Sequence, residues 1–240
     1  MLDRPTVNLL LLPCAGSGSR MYRSWKQELP PWISPLAIDL PGHDPRDRDP
    51  PLHDWPLLTE RVYATAASYM DRPFAVFGHS MGALVGLALI AMARERLARE
   101  PLVFFASACQ APSLRIRDEH WLNASRDCIV AELRALGGTS SELLASSDFV
   151  DMVLPMFRAD FHLCGTFSPS QQPGSMPLIA VGGTCDSLSA IPENLLAWSA
   201  VTTGAFRCEM IEGDHFFIET ARSHVLHTLV SALDVAARAT

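Results

Sequence analysis

A serine lies between two glycines in residues 78–82, Gly-His-Ser-Met-Gly, which fit the pattern G-x-S-x-G. The pattern follows an apolar run at Phe74–Phe77 and opens a helical run at Met81–Leu97. A strand, a sharp turn and a helix form a nucleophile elbow, whose crowded turn requires small residues two positions before and after the serine. The N-terminus of the helix also favours developing negative charge. We therefore predict that Ser80 is a nucleophile.

A serine nucleophile needs a histidine base, and the histidine needs a carboxylate that orients it. His215 is the candidate base, because it follows an apolar, strand-like run and precedes the helical C-terminal stretch. In enzymes with this elbow the chain order is serine, then Asp or Glu, then histidine. Asp186 satisfies this order, since it follows another strand-like run between Ser80 and His215. Asp214 is the weaker alternative, because neighbouring side chains diverge and a turn-forming role suits it better.

Acyl transfer by a serine also needs two backbone N–H groups that bind the oxyanion of the tetrahedral intermediate. We expect one from Met81, directly after the nucleophile, and the other from the loop Pro13–Gly18 after the first strand-like run. This loop matches neither G-x-x-x-x-G-K-[ST] nor G-x-G-x-x-G, so nucleotide binding is not predicted. Cys14 is expected to pack beside the site, and His79 to point away from it.

These residues require a scaffold in which strands and helices alternate. Continuous apolar runs, typical of strands covered on both faces, are Val7–Leu12, Pro35–Leu40, Phe74–Phe77, Leu102–Ala106, Leu178–Val181 and Phe206–Ile211. Helix-like stretches are Met81–Leu97, Pro192–Ser199 and Phe217–Ala237. The alternation predicts an α/β fold with a mostly parallel, doubly wound sheet.

Residues 115–167 interrupt this alternation. They contain amphipathic helical stretches at Asp118–Leu136, Ser141–Ser146 and Phe149–Leu163, without a strand signal, and Pro155 is expected to kink or split the last one. We expect a single domain over residues 1–240, with residues 115–167 inserted as a helical lid over one end of the sheet. We call this insertion the lid segment.

The composition argues against several classes of function. The 240 residues include 19 basic and 26 acidic side chains, a formal net charge of −7, whereas nucleic-acid-binding domains are usually basic. No apolar run reaches the ~18 residues that span a bilayer. Six scattered cysteines form no CxxC pair and no Cys/His cluster, which predicts free thiols and no metal site. We expect a cytoplasmic monomer that binds neither nucleic acid nor membrane.

The ordered set of motifs resembles type II thioesterases, the stand-alone α/β-hydrolases that accompany polyketide synthases and nonribosomal peptide synthetases. The resemblance runs along nearly the whole chain. It rests on Leu12–Ser17, Tyr22, Trp25, Asp39–Gly42, residues 77–83, Arg158–Asp160, Gly182, Gly183, Asp186, Trp198 and Gly213–Phe217. The sequence departs from the family where Ser17-Gly18 replaces the usual Gly-Ser and where His43-Asp44 replaces a common Arg-Gly. It also lacks the Tyr that often follows Arg-x-Asp. These departures leave the triad intact.

The resemblance implies an α/β-hydrolase fold and the hydrolysis of acyl groups from the phosphopantetheine arm of acyl or peptidyl carrier proteins. It implies that Ser80 attacks the thioester carbonyl with His215 as base, and that the Ala15 and Met81 amides hold the oxyanion. Neither a metal nor a redox cofactor is implied.

The lid segment would then line an acyl channel, for which we expect the substrate-binding residues Met152, Met156, Phe157 and Phe216. Carrier proteins are often acidic, and this chain is acidic too, so docking would need a local patch of arginines. For that patch we expect Arg20, Arg23, Arg115 and Arg117.

Two other interpretations stay open. A small-molecule carboxylesterase or lipase would use the same triad, and the relative rates on esters and thioesters separate it from a carrier-protein thioesterase. A hydrolase fold used only for binding would show no turnover, although the intact Ser80, Asp186 and His215 argue against it.

Overall fold

Six parallel strands form the centre of the protein in a computed structural model that describes residues 6–44, 49–169 and 172–239. In chain order the strands are β1 (Val7–Leu12), β2 (Ile33–Ala37), β3 (Phe74–His79), β4 (Phe104–Ser107), β5 (Leu178–Gly183) and β6 (Phe206–Ile211). They are arranged across the sheet as β2-β1-β3-β4-β5-β6. Each neighbouring pair is parallel, which confirms the predicted doubly wound α/β sheet.

The helices alternate with the strands. Over the described ranges they are α1 (Trp25–Glu28), α2 (Trp55–Ala66), α3 (Met81–Leu97), α4 (Arg126–Leu136), α5 (Ser141–Ala145), α6 (Ser147–Thr166), α7 (Pro192–Leu196), α8 (Phe217–Thr220) and α9 (Arg222–Arg238). The predicted C-terminal helix is therefore interrupted at Ala221, between α8 and α9. No helix in these ranges combines the length and the apolar character needed to cross a membrane.

The central strands are buried on both faces because consecutive side chains point to opposite sides of the sheet. In β1, Leu10 and Leu12 join a core cluster that includes side chains of α2 and α3. Leu9 and Leu11 join a second cluster, which includes side chains of α1 and α9. The continuous apolar run of β1 therefore serves two cores, and the sheet becomes a rigid platform between them.

Strand β2 begins two residues earlier and ends three residues earlier than the sequence predicts, at Ile33–Ala37 instead of Pro35–Leu40. It forms one edge of the sheet and pairs only with β1, so the missing N–H of Pro35 leaves no unsatisfied neighbour on the outer side. Ile38 and Leu40 are buried although they lie beyond the strand. Their side chains join the same core cluster as Leu10 and Leu12, which explains why the apolar run continues beyond the strand.

The lid segment is helical and has a small core of its own. Ser125, Ser140 and Ser146 cap the N-termini of α4, α5 and α6 by accepting hydrogen bonds from backbone N–H groups. Helix α6 runs unbroken through Pro155, so the expected split does not occur. The apolar side chains of these helices pack together as a third cluster, which Ala15 of the loop after β1 contacts.

Candidate active site

Ser80 occupies a strained turn between β3 and α3. Its φ angle of 55° is unusual for a residue with a side chain, and its N–H donates to the Ser107 carbonyl at 2.7 Å. The flanking glycines explain how the turn fits. A Cβ at Gly78 would overlap the Gly82 carbonyl, and a Cβ at Gly82 would overlap the Leu12 carbonyl. The turn therefore holds the serine at the N-terminus of α3, at the carboxyl edge of the sheet.

His215 and Asp186 form a buried pair at the same edge. The two atoms His215 Nδ1 and Asp186 Oδ1 are 3.0 Å apart, and the residues are 4% and 1% exposed. Burial alone would raise the pKa of Asp186, but hydrogen bonds from His215, Ser189 and Leu188 outweigh it and hold the pKa below its usual value. The carboxylate therefore accepts from Nδ1–H, and His215 Nε2 keeps its lone pair.

Ser80 and His215 both border a cavity of about 390 Å³. No direct hydrogen bond joins their side chains among the contacts of the described residues. Catalytic hydrogen bonds are often long before substrate binds and shorten in the reacting complex. The structure thus places the predicted nucleophile, base and acid in one site, on the turns that follow β3, β6 and β5.

Met81 directly follows the serine, and Ala15 borders the same cavity as Ser80. The Met81 N–H opens α3, and the Ala15 N–H lies in the loop after β1. Neither donates to an acceptor among the described residues. Cys14 precedes Ala15, but burial raises the pKa of its thiol to about 11, so it stays protonated beside the site.

His79 departs from the expectation that its side chain points away from the site. Its ring centroid lies 5.3 Å from that of His215, and it also packs against Phe216 and Phe217. Its Nδ1 lies 2.9 Å from Ser107 Oγ, and burial, followed by the nearby His215, lowers its pKa to about 3. His79 is therefore a neutral support beneath the candidate base. Its place inside G-x-S-x-G is the one signal that pointed to the site.

The lid segment covers the cavity that Ser80 and His215 border. Met156, Phe157 and Phe216 border it, as expected. Met152 does not: it lies one turn before Met156 on α6, but its side chain is 70% exposed and faces solvent. The expectation for Met152 is therefore wrong, because a helix of the lid has both a covered and an exposed face.

A second, smaller cavity of about 190 Å³ also reaches Ser80. Ala15 and Ser80 border both cavities, and Arg115 and Asp118 add polar groups to the smaller one. Arg115 donates to the Cys164 carbonyl at 3.0 Å, so part of its role is to brace the lid segment.

The other arginines expected to dock a partner lie on the surface. Arg20, Arg23 and Arg117 are exposed, and Arg117 pairs with Glu119. Among the described residues, no group of three or more His, Cys, Asp or Glu side chains is arranged to hold a metal ion.

The parallel sheet, the elbow and the buried His–Asp pair define an α/β-hydrolase fold with the site of a serine hydrolase. Residues 7–233 match the thioesterase domain family, and the chain belongs to that family. It is therefore a hydrolase of thioesters, which confirms the resemblance inferred from the motifs.

Similar proteins include two thioesterases named for biosynthetic pathways or clusters. The linear gramicidin dehydrogenase LgrE of Brevibacillus parabrevis is 32% identical, with 97% of this chain and 90% of that protein covered. The RedJ thioesterase of the prodiginine biosynthetic pathway in Streptomyces coelicolor is 29% identical, with a TM-score of 0.85 and coverage of 95% and 91%. The type II thioesterase BorB of the borrelidin biosynthetic cluster is 29% identical, with a TM-score of 0.83 and coverage of 96% and 95%. The word dehydrogenase is part of the name of LgrE, whereas the family that this chain matches is the thioesterase domain.

Proposed function

We propose that this thioesterase hydrolyses acyl groups from the phosphopantetheine arms of acyl or peptidyl carrier proteins in polyketide or nonribosomal peptide biosynthesis. The observation that carries the proposal is the meeting of two cavities at Ser80. The larger one, bordered by apolar side chains of the lid segment, suits an acyl chain. The smaller one, with Arg115 and Asp118, suits the polar pantetheine arm. The biosynthetic pathways named for RedJ and BorB support the same substrate class.

In the proposed acylation step, His215 Nε2 takes the proton of Ser80 as the serine oxygen bonds to the thioester carbonyl carbon. Asp186 accepts from His215 Nδ1–H, which fixes the tautomer and stabilises the imidazolium that forms. The Ala15 and Met81 amides donate to the oxyanion, and the N-terminus of α3 favours the same charge.

The carbon–sulfur bond then breaks, and the pantetheine thiol leaves with a proton from His215. A thiol of pKa about 8.5 is a good leaving group, so it needs less help from the acid than an amine does. Water, deprotonated by His215, attacks the acyl-enzyme and releases the carboxylic acid and Ser80. No electron is gained or lost in either step, so the chemistry calls for no redox cofactor, and the amides take the role of a metal.

The proposed partners would meet this enzyme in the cytoplasm, where the six free thiols stay reduced. The exposed Arg20, Arg23 and Arg117 offer positive charge for an acidic carrier domain. Their charges would mainly accelerate association and would be screened by salt.

Intact-protein mass spectrometry of a panel of acyl-loaded carrier proteins tests the proposal. The acyl mass should disappear while the phosphopantetheine arm stays on the carrier, and Ser80→Ala should leave the panel unchanged. The same acyl groups are offered as pantetheine thioesters and as p-nitrophenyl esters. Ester hydrolysis without thioester hydrolysis would establish the carboxylesterase alternative instead.

A further inference from the structure

A second buried histidine–carboxylate pair lies outside the candidate triad. His43, in the loop after β2, and Asp160, on α6 of the lid segment, are separated by 2.8 Å between Nε2 and Oδ2. Their side chains are 2% and 0% exposed. The pair therefore joins the lid segment to the body of the protein at a place that solvent hardly reaches.

The partners of His43 fix its protonation state. Nδ1 lies 3.1 Å from the Pro41 carbonyl oxygen, which can only accept, and Nε2 lies beside a carboxylate oxygen. Because both ring nitrogens must donate, His43 is an imidazolium cation paired with an ionised Asp160. Two opposite charges in so buried a place stabilise each other, and removal of either leaves the other without an opposite charge.

Asp160 reaches one backbone amide of the loop after β1. The same oxygen that faces His43 accepts the Gly16 N–H at 2.7 Å. Gly16 directly follows Ala15, whose amide is the proposed second donor to the oxyanion. Gly16 has a φ of +72°, and a Cβ there would overlap the ring of Phe157, one turn before Asp160 on α6. The loop is thus held against α6 by a close ring contact and by a hydrogen bond to an anion.

We propose that Asp160, itself held by His43, is a positioning residue that fixes the Ala15 amide for the oxyanion. The proposal rests on the oxyanion role given to Ala15 under the proposed function, and it assigns a task to the Arg158–Asp160 motif that the triad does not use. The lid segment therefore has two roles. It covers the acyl chain, and it supplies Asp160, which holds the loop that carries the Ala15 amide.

The chain offers a matched control in Asp39. Its Oδ1 accepts the Ser19 N–H, and its Oδ2 accepts the Ser19 hydroxyl at 2.8 Å. Asp39 and Asp160 therefore both accept from backbone amides of the chain that follows β1. Asp160 holds the amide of Gly16, whereas Asp39 holds the amide of Ser19, three residues further along. Asp39→Ala should lower the melting temperature and leave kcat within threefold of the wild type.

The test compares Asp160→Ala and Asp39→Ala with an acyl-pantetheine substrate, which needs no carrier protein. Loss of a donor in an oxyanion hole costs about 10²–10³ in kcat, so a displaced donor should cost Asp160→Ala about 30- to 100-fold, with KM changed less than threefold. A trifluoromethyl ketone analogue, which forms an oxyanion with Ser80, should bind to Asp160→Ala more weakly than to the wild type by the same factor. An unreactive thioether of the same shape should bind equally well to Asp160→Ala and to the wild type.

Rescue separates the positioning role from a structural one. His43→Ala should lower kcat as Asp160→Ala does, and His43→Arg should restore it to within about fivefold, because a guanidinium supplies a cation and several N–H donors. Asp160→Asn, which keeps the side-chain volume, provides the comparison if Asp160→Ala fails to fold.

Equal kcat in the Asp160 and Asp39 variants, or equal weakening of the ketone and the thioether, would overturn the proposal. The acyl-pantetheine assay keeps the two proposals distinct. Failure on carrier proteins alone would refute the partner assignment and leave the Asp160 result intact.

Discussion

Two buried histidine–carboxylate pairs lie close to the candidate nucleophile, because His215 borders the cavity of Ser80 and Asp160 accepts from Gly16, which borders the same cavity. In the first, His215 Nδ1 faces Asp186 at 3.0 Å; in the second, His43 Nε2 faces Asp160 at 2.8 Å. The distances are alike, but His215 keeps one nitrogen free, whereas His43 donates through both. A free lone pair at the rim of a cavity can move a proton, and a fully donated ring can only hold charge and geometry. The same residue types therefore give a base in one pair and a brace in the other.

Carboxylate-to-amide substitutions give the largest expected contrast between the pairs. Asp186→Asn should lower kcat about 10³- to 10⁴-fold, because the amide favours the wrong tautomer of His215. Asp160→Asn should cost far less, about tenfold, since its carbonyl oxygen still accepts the Gly16 N–H. Steady-state kinetics on one small thioester measures both. Similar losses in the two variants would contradict the division of labour between the pairs.

His79, which packs against His215 of the first pair, should make the folded protein less stable at acidic pH. The folded protein holds its pKa near 3, whereas an unfolded histidine titrates near 6.5. Below pH 6.5 the unfolded state binds the extra proton, so stability is present above this pH and falls as the pH drops towards 3. Between pH 6.5 and pH 5 the loss from His79 is about 2 kcal/mol. Urea unfolding should show that His79→Gln removes this part of the pH dependence, and an unchanged slope would refute it.

His43 in the second pair should act in the opposite direction. Burial lowers its pKa, but the charge of Asp160 and the hydrogen bonds to Asp160 and Pro41 outweigh burial and raise the pKa above its ordinary value. Stability from this pair is therefore fully present below pH 6.5 and is lost as the pH rises through the folded pKa. The difference in unfolding free energy between the wild type and His43→Gln should shrink from pH 6 to pH 8.5. A difference that grows with pH would reverse the assignment of charge.

The smallest expected effect concerns the larger cavity, which His215 of the first pair borders. Met156→Ala should raise KM for long acyl chains a few-fold and leave short chains nearly unchanged, because Met156 borders the larger cavity. Met152→Ala is the matched control on α6, and its 70% exposed side chain should leave both values as they are. Kinetics with acyl-pantetheines of increasing length measures the difference. Equal effects of the two variants would place the acyl chain elsewhere.

The difference between the pairs also explains what sequence could and could not predict. Ser80, Asp186 and His215 follow strands in a fixed order, so local motifs and chain order were enough to select them. The His43–Asp160 pair joins residues separated by 117 positions, and it exists only because α6 packs against the loop after β2. No local pattern encodes that contact.

Boundaries and faces were harder to predict for the same reason. The apolar Ile38 and Leu40 extend the predicted β2, although they lie beyond the strand and are buried in the core cluster that Leu10 and Leu12 of β1 also join. Met152 and Met156 are chemically identical in sequence, and only the docking of α6 decides which one faces the cavity. The contact of His79 with His215 and Phe216 has no sequence signal, because it depends on how the loop after β6 packs against β3.

In the proposed mechanism, Ser80 carries the acyl group between the thioester and water. Rapid quenching of the enzyme with an acyl-carrier substrate, followed by peptide mass spectrometry, tests it most directly. We expect a transient acyl mass on the peptide that contains Ser80 in the wild type and none in Ser80→Ala. Product formation by Ser80→Ala at the wild-type rate, or an acyl mass on Cys14, would contradict the account.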